Sequence, residues 1–286
     1  MDWLRYLGFY HDVPPILKIR DEHLIQASKN NCPSYAIKLL EAGNTFSAKN
    51  SSLIIASAFG FNKVVEALLS FKAFVRTNQD SPLVNAAAQG RNSTISILLN
   101  HGADIHAQNG AALRYASAQG HFDTVMFLLD NGADVSFSSA LTAASENGHE
   151  DVVELLLENG AEVHEGDEEP LIQAAAKGHV SVVMTLLEYG ADPKPALDSV
   201  EAITNKDIFF ILKRAAGVAE DEVDLEYAVH QKNFVLIEWL IHHGASPFFI
   251  NPMVVDEDVK EFISKVYLGM LNPRSSDAKE FKRFWM

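Results

Sequence analysis

Eleven histidines, one cysteine and 38 acidic side chains are the groups of this chain that could ligate a metal, move a proton or attack an electrophile. Their spacing argues against each of these chemistries. A zinc protease needs His-Glu-x-x-His on one helix, a structural zinc site needs paired cysteines, and a calcium loop needs alternating carboxylates closed by a glutamate. None of these patterns occurs. Cys32 is alone, which excludes an intramolecular disulfide, and spacing nominates no base beside it. His121, His149 and His179 each follow a glycine, a turn position where an imidazole can bond neighbouring backbone groups. His242 and His243 close a helical segment, where partial positive charge is favoured. The Gly-Ala and Gly-His pairs punctuate helical hairpins and never lead from a strand into Gly-Lys-Ser/Thr, so they are not phosphate loops. The chain is therefore expected to be no enzyme, with no catalytic residue, metal ligand or cofactor.

The glycines and histidines are placed by a recurring element, seen most clearly over residues 141–162. Leu141 and Ala144 lie three apart on one helical face, and Asn147-Gly148 breaks that helix. Val152, Val153, Leu156 and Leu157 give the apolar stripe of a second helix. Gly160 follows the last periodic residue, where a left-handed cap favours glycine. A hairpin of this size cannot bury both of its faces and needs neighbours.

The chain supplies them in register. Leu83, Ala86, Gly90, Leu98-Leu99 and Gly102-Ala103-Asp104 repeat the pattern. So do Leu113, Ala116, Gly120-His121, Leu128-Leu129 and Gly132-Ala133-Asp134, and again Leu171, Ala174, Gly178-His179, Leu186-Leu187 and Gly190-Ala191-Asp192. Weaker copies start at Leu24 and Leu225, and a copy at Leu53 carries Lys72 where the capping glycine belongs.

A unit of about thirty residues with this pattern resembles the ankyrin family, whose opening survives here as Ser81-Pro82-Leu83 and Glu169-Pro170-Leu171. A proline at the first helical position suits a helix start. The resemblance implies an all-α solenoid of stacked helix-turn-helix units with short β-turn fingers, about seven or eight repeats over 21–246, degenerate at 196–218. Helical caps are expected at 1–20 and 247–286. Two departures stand out: the segments before each anchor leucine are short, predicting stubby fingers, and the family's histidine after that leucine is replaced by Ile54, Val84, Arg114, Thr142 and Ile172.

Composition limits the partners. A net charge of −15 disfavours nucleic acid and anionic lipid, both of which are bound largely through lysine and arginine. The longest apolar run, 234–241, holds Glu238 and is too short to span a membrane. The N-terminus is aromatic, without the basic-then-apolar layout of a signal peptide. A cytoplasmic monomer is expected, in the host-cell cytosol if the protein is a secreted effector.

Trp3, Leu4 and Leu7 can share a short helical face before Pro14-Pro15, which we take to stop that helix; the segment reads as a cap in preference to an aromatic docking motif. Val259, Phe262, Ile263, Val266, Tyr267 and Met270 have helical spacing, and Ser275 or Ser276 could start a last helix with Phe281, Phe284 and Trp285. This end reads either as a cap or, given Lys279, Lys282 and Arg283, as a tail recruiting a second protein such as ubiquitin-ligase machinery.

In an ankyrin-like stack, partners meet the concave face made by fingers and first helices. The resemblance then points to Phe59, Gln89, Gln119, Glu146, Asn147 and Lys177 before the turn glycines, and to Arg114 and Tyr115 on a first helix. The fingers add Arg76, Asn78, Gln79, Gln108, Asn109, Phe137, Glu165, Asp167 and Glu168. Phe59, Tyr115 and Phe137 are the expected anchors, since aromatics concentrate binding energy. The acidic run Glu165, Asp167, Glu168 and Glu169 would suit a partner with a basic patch. The expected function is a non-enzymatic scaffold binding another protein.

Overall fold

The computed structural model describes residues 15–136, 138–199, 205–218, 221–252, 255–270 and 276–285. Among them there is no strand. The chain forms two compact units, Met1–Glu162 and Val163–Met286.

The first unit holds five hairpins. They are α1 (Pro15–Lys29) with α2 (Pro33–Glu41), α3 (Phe46–Phe59) with α4 (Asn62–Ser70), and α5 (Thr77–Ala88) with α6 (Asn92–Asn100). Then come α7 (Ala107–Ala118) with α8 (Phe122–Asp130), and α9 (Ala140–Asn147) with α10 (Glu150–Glu158). First helices stack on first helices, α1 to α9 in order, and second helices on second helices, α2 to α10, but less extensively. Small side chains explain the closer front layer. The two positions three and four residues after each anchor leucine are Ala27-Ser28, Ala56-Ser57, Ala86-Ala87, Ala116-Ser117 and Ala144-Ser145, all buried. Nothing longer would fit where backbones approach this closely. The buried serine hydroxyls at 28, 57, 117 and 145 have no hydrogen-bond partner, so their size is what suits them to the position.

The anchors are core residues: Leu24, Leu53, Leu83, Leu113 and Leu141 are at most 2% exposed. In the second helices, Leu68, Leu98, Leu128 and Leu156 are fully buried, while Leu99 and Leu129 beside them are half-buried. Turn and capping glycines take left-handed φ, from +67° at Gly90 to +89° at Gly102. Lys72 takes the same conformation at φ +61° in place of the missing capping glycine. Pro15 opens α1. Trp3, Leu4 and Leu7 lie outside the described residues.

The stubby fingers take a form that periodicity does not announce. In α5 and α7 the first turn is left-handed over three successive residues: Asn78, Gln79 and Asp80, then Gln108, Asn109 and Gly110. L-residues resist this by about 1–2 kcal/mol each, least for Asn and Asp and not for Gly. A side-chain bond made three residues before the anchor leucine closes over three of the hairpins, and in α5 it comes from the left-handed Asp80 itself. Asp21 Oδ1 accepts from the backbone N–H of Thr45 at 3.0 Å, Asn50 Oδ1 from that of Phe74 at 2.9 Å and Asp80 Oδ1 from that of Asp104 at 3.0 Å. Neighbouring units are joined by a second ladder: Thr94 Oγ1 donates to Asn62 Oδ1, and Thr124 Oγ1 to Asn92 Oδ1, both at 2.6 Å.

The second unit comprises α11 (Glu165–Lys177), α12 (Val180–Glu188), α13 (Pro193–Ser199), α14 (Lys206–Ala215), α15 (Asp221–His230), α16 (Phe234–His242), a 3-10 turn at Pro247–Phe249, α17 (Glu257–Met270) and α18 (Ser276–Trp285). Pro193 begins a helix here, and α13 packs on α11 and α14 on both α12 and α16, so the degenerate segment still stacks as a hairpin. Phe281 is buried against Phe248, Tyr267 and Trp285, with ring centroids 5.9, 4.7 and 5.6 Å away.

Two substitutions test this register. Leu156→Ala should cost about 2–5 kcal/mol in urea unfolding, through the cavity it leaves; an unchanged midpoint would place Leu156 outside the core. Lys72→Gly should stabilise by about 1 kcal/mol by relieving a left-handed backbone, and a loss of stability would show that φ is not left-handed there.

Candidate functional site

Each first helix of the first unit from α3 to α9 ends at a left-handed glycine, which fixes the residue before it at the rim of the front layer. Phe59, Gln89, Gln119 and Asn147 occupy this position and are all exposed, as is Glu146 beside Asn147. The glycines must also be bare because the next hairpin packs on them. A Cβ at Gly60 would meet Arg91 at 2.9 Å, one at Gly90 would meet the His121 ring at 3.3 Å, and one at Gly120 the His149 ring at 2.5 Å. His121 and His149 reach back one repeat, where Nε2–H donates to the carbonyls of Ala88 (3.2 Å) and Ala118 (3.1 Å). These histidines hold repeats together. His101, His230 and His243 each donate from Nδ1 to the carbonyl four residues earlier, at 2.8 Å. Cys32 is exposed and caps α2, with Sγ 3.5 Å from the carbonyl of Asn30. Among the described residues, no three histidine, cysteine or acidic side chains converge as a metal site. No described helix is long and apolar enough to cross a membrane.

Phe59 is 53% exposed and stacks on Phe61 at 5.4 Å between centroids. Tyr115 is 45% exposed, with the Arg114 guanidinium 5.3 Å above its ring. The fingers meet in a shallow depression of about 580 Å³ bordered by Phe74, Arg76, Gln79, Asp104, His106 and Gln108. Arg76 spans it, with Nε 3.1 Å from buried Asp80 and an Nη 2.9 Å from Asp104. Gln108 Nε2 donates to the carbonyl of Gln79 in the preceding finger at 2.7 Å. Asn78 is tied to Ser81 inside its own turn, and Asn109 points to no partner. The charges of the depression are thus largely paired with each other.

Phe137 lies outside the described residues. Glu165, Asp167, Glu168 and Lys177 belong to the second unit; Asp167 and Lys177 are exposed and Glu165 is partly covered. Glu168 requires a correction. Its left-handed backbone turns the side chain inward, where it is 6% exposed and paired with His164 Nδ1, so it is not available to a partner.

Sequence reasoning missed the closing role of Asp80, although an Asp or Asn three residues before the anchor in three units was a readable signal. It also missed how charge is divided. Within α5 and α7 and at the residues that follow them, the exposed side chains are Asn78, Gln79, Gln89, Gln108, Asn109, Tyr115 and Gln119, none of them charged. The exposed Arg76 that precedes α5 is paired with Asp80 and Asp104, and Arg114 is partly covered. The outer faces of α8 and α10 expose Asp123, Asp130, Glu150, Asp151, Glu154 and Glu158. Between Arg114 and Lys177 the chain has no lysine or arginine at all. The arrangement offers hydrogen bonds and aromatic faces on one side and negative charge on the other.

Asp80→Ala should destabilise by about 1–3 kcal/mol, because the Asp104 N–H loses a buried acceptor and Arg76 a partner. Thermal unfolding checks this, and a loss no larger than that of an exposed Asp123→Ala control would contradict it.

A family model for ankyrin repeats matches the chain in three overlapping copies, at residues 24–109, 53–139 and 113–196. Among solved structures, the ankyrin repeat domain of human ASB11 is similar at 28% sequence identity and a TM-score of 0.53, over 60% of this chain and 85% of that one. No curated protein matches.

Proposed function

The chain belongs to the ankyrin-repeat family, and from that premise we propose that it is a non-enzymatic scaffold binding a partner protein along the front layer of its first unit. Ankyrin repeats generally mediate protein–protein interaction. The observation that carries the reading is the exposure of Phe59 and Tyr115 on a layer whose inward positions are taken up by stacking and whose rim is otherwise polar. A folded core gains nothing from leaving two aromatic rings half in water, whereas an interface gains most of its energy from such side chains. A surface spanning several hairpins can supply the roughly 1,200–2,000 Å² that a stable interface buries.

We take α17 and α18 as a cap. Burial of Val259, Ile263, Phe281 and Trp285 supports this, since a recruiting tail would keep its apolar side chains for its partner. Lys279, Lys282 and Arg283 then form its solvated side. The scaffold works as a monomer in a reducing, aqueous compartment, a reading supported by the free exposed thiol of Cys32.

The test is affinity capture from cell extract, identification of the bound protein, and titration with purified variants. Phe59→Ala combined with Tyr115→Ala should weaken the complex tenfold or more while leaving the thermal unfolding temperature within a few degrees. An unchanged affinity would move the interface off the front layer.

A further inference from the structure

We propose that the front layer of α5, α7 and α9 reads an extended, uncharged, proline-rich segment of its partner, mainly through that segment's backbone carbonyls. This rests on the scaffold reading above and names the chemistry of its partner.

Three observations lead there. The first is the lining. Gln89 and Gln119 occupy the same position in successive repeats, with Asn147 at that position in the next, and all three are exposed. Among the described residues, the side chains of Gln89 and Gln119 have no hydrogen-bond partner. Asn147 donates to the carbonyl of Ala143 and keeps its own oxygen. A primary amide carries both donors and an acceptor, matching a peptide group and favouring neither sign of charge.

The second is the electrostatic setting. In a chain of net charge −15, the outer helices α8 and α10 expose six carboxylates, whereas the front of α5, α7 and α9 exposes only Glu146 and, part-covered, Arg114, which balance. A basic partner would be drawn to the outer side, and an acidic one repelled by the whole. What the front recognises has little charge.

The third is spacing. Packed helices stand about 8–10 Å apart, so the amide row advances by that distance per repeat. A β-strand returns the same face every two residues, about 6.8 Å, and falls out of phase. A polyproline II segment returns it every three residues, about 9.3 Å, with no internal hydrogen bonds, so one carbonyl per turn can meet one amide per repeat. Proline rings also suit flat aromatic faces, and Tyr115 lies on α7 while Phe59 holds the same rim position one repeat before Gln89.

Decaproline, decalysine and a thymidine decamer serve as probes against the full chain, read by side-chain amide and aromatic NMR shifts. Decaproline should move the Gln89 and Gln119 amides and the Tyr115 ring saturably, at both low and high salt. The double variant Gln89→Glu with Gln119→Glu keeps size and exposure but sets carboxylate oxygens against the carbonyls, and should weaken decaproline binding at least tenfold with no change in thermal unfolding. No shifts with decaproline, or unchanged or tighter binding by the variant, would overturn the proposal. So would occupation of the same residues by decalysine or the oligonucleotide. The two readings separate cleanly: a captured partner that needs Phe59 and Tyr115 but tolerates both glutamates would preserve the scaffold and defeat the backbone reading.

Discussion

A hairpin of two short helices has two apolar stripes and only one internal interface. That deficit governs the whole molecule. Leu53 and Leu68 belong to one hairpin, yet both are fully buried only because other hairpins lie beside them. Each unit therefore draws its stability from its neighbours, the condition under which a repeat array behaves as a one-dimensional chain of coupled parts. The turn histidines show the coupling at atomic scale. His121 and His149 cover the glycine of the preceding turn and bond the carbonyl beside it, so glycine, histidine and carbonyl form one joint made by two repeats.

Stacking also decides what is left over for recognition. The front layer is packed through alanine and serine pairs and closed by left-handed glycines, and the residues just before those glycines have no structural duty. Side chains can change there without disturbing the fold, and Phe59, Gln89, Gln119 and Asn147 accordingly include three residue types, each just before a left-handed glycine. The fingers are more constrained. Arg76, Asp80 and Asp104 bind one another, and Gln108 bridges to the finger before it. Repeat cohesion therefore occupies the finger side, whereas the side chains of Gln89 and Gln119 take no part in it.

Much of the fold was legible because its signal is repeated. One leucine or one glycine says little; the same pair at each thirty-residue step fixes register, helix ends and core together. Lys72 was legible as a break in the pattern, although not as a residue forced into glycine's conformation. Pro15 and Pro193 each open a helix, a first-position role that proline's fixed φ suits. The left-handed finger turns were hidden because residues such as Gln79 and Gln108 carry no sequence signal for that backbone, and the bond from Asp80 to Asp104 spans 24 positions. Glu168 misled for the same reason: a run of four acidic residues looks solvated until the backbone turns one of them inward. On the candidate site, exposure at the rim followed from the hairpin pattern, while the division of charge between the layers became visible only once α8 and α10 were placed behind α7 and α9.

Interdependence between neighbouring hairpins is the claim on which everything else rests, and native-state hydrogen exchange of the Leu113→Ala variant tests it most directly. Leu113 is fully buried in α7 and packs in the layer between α5 and α9. Protection should fall in α5 and α9 as well as in α7 and α8. A loss confined to α7 and α8, with α5 and α9 exchanging as slowly as before, would show hairpins that stand alone and would contradict the account.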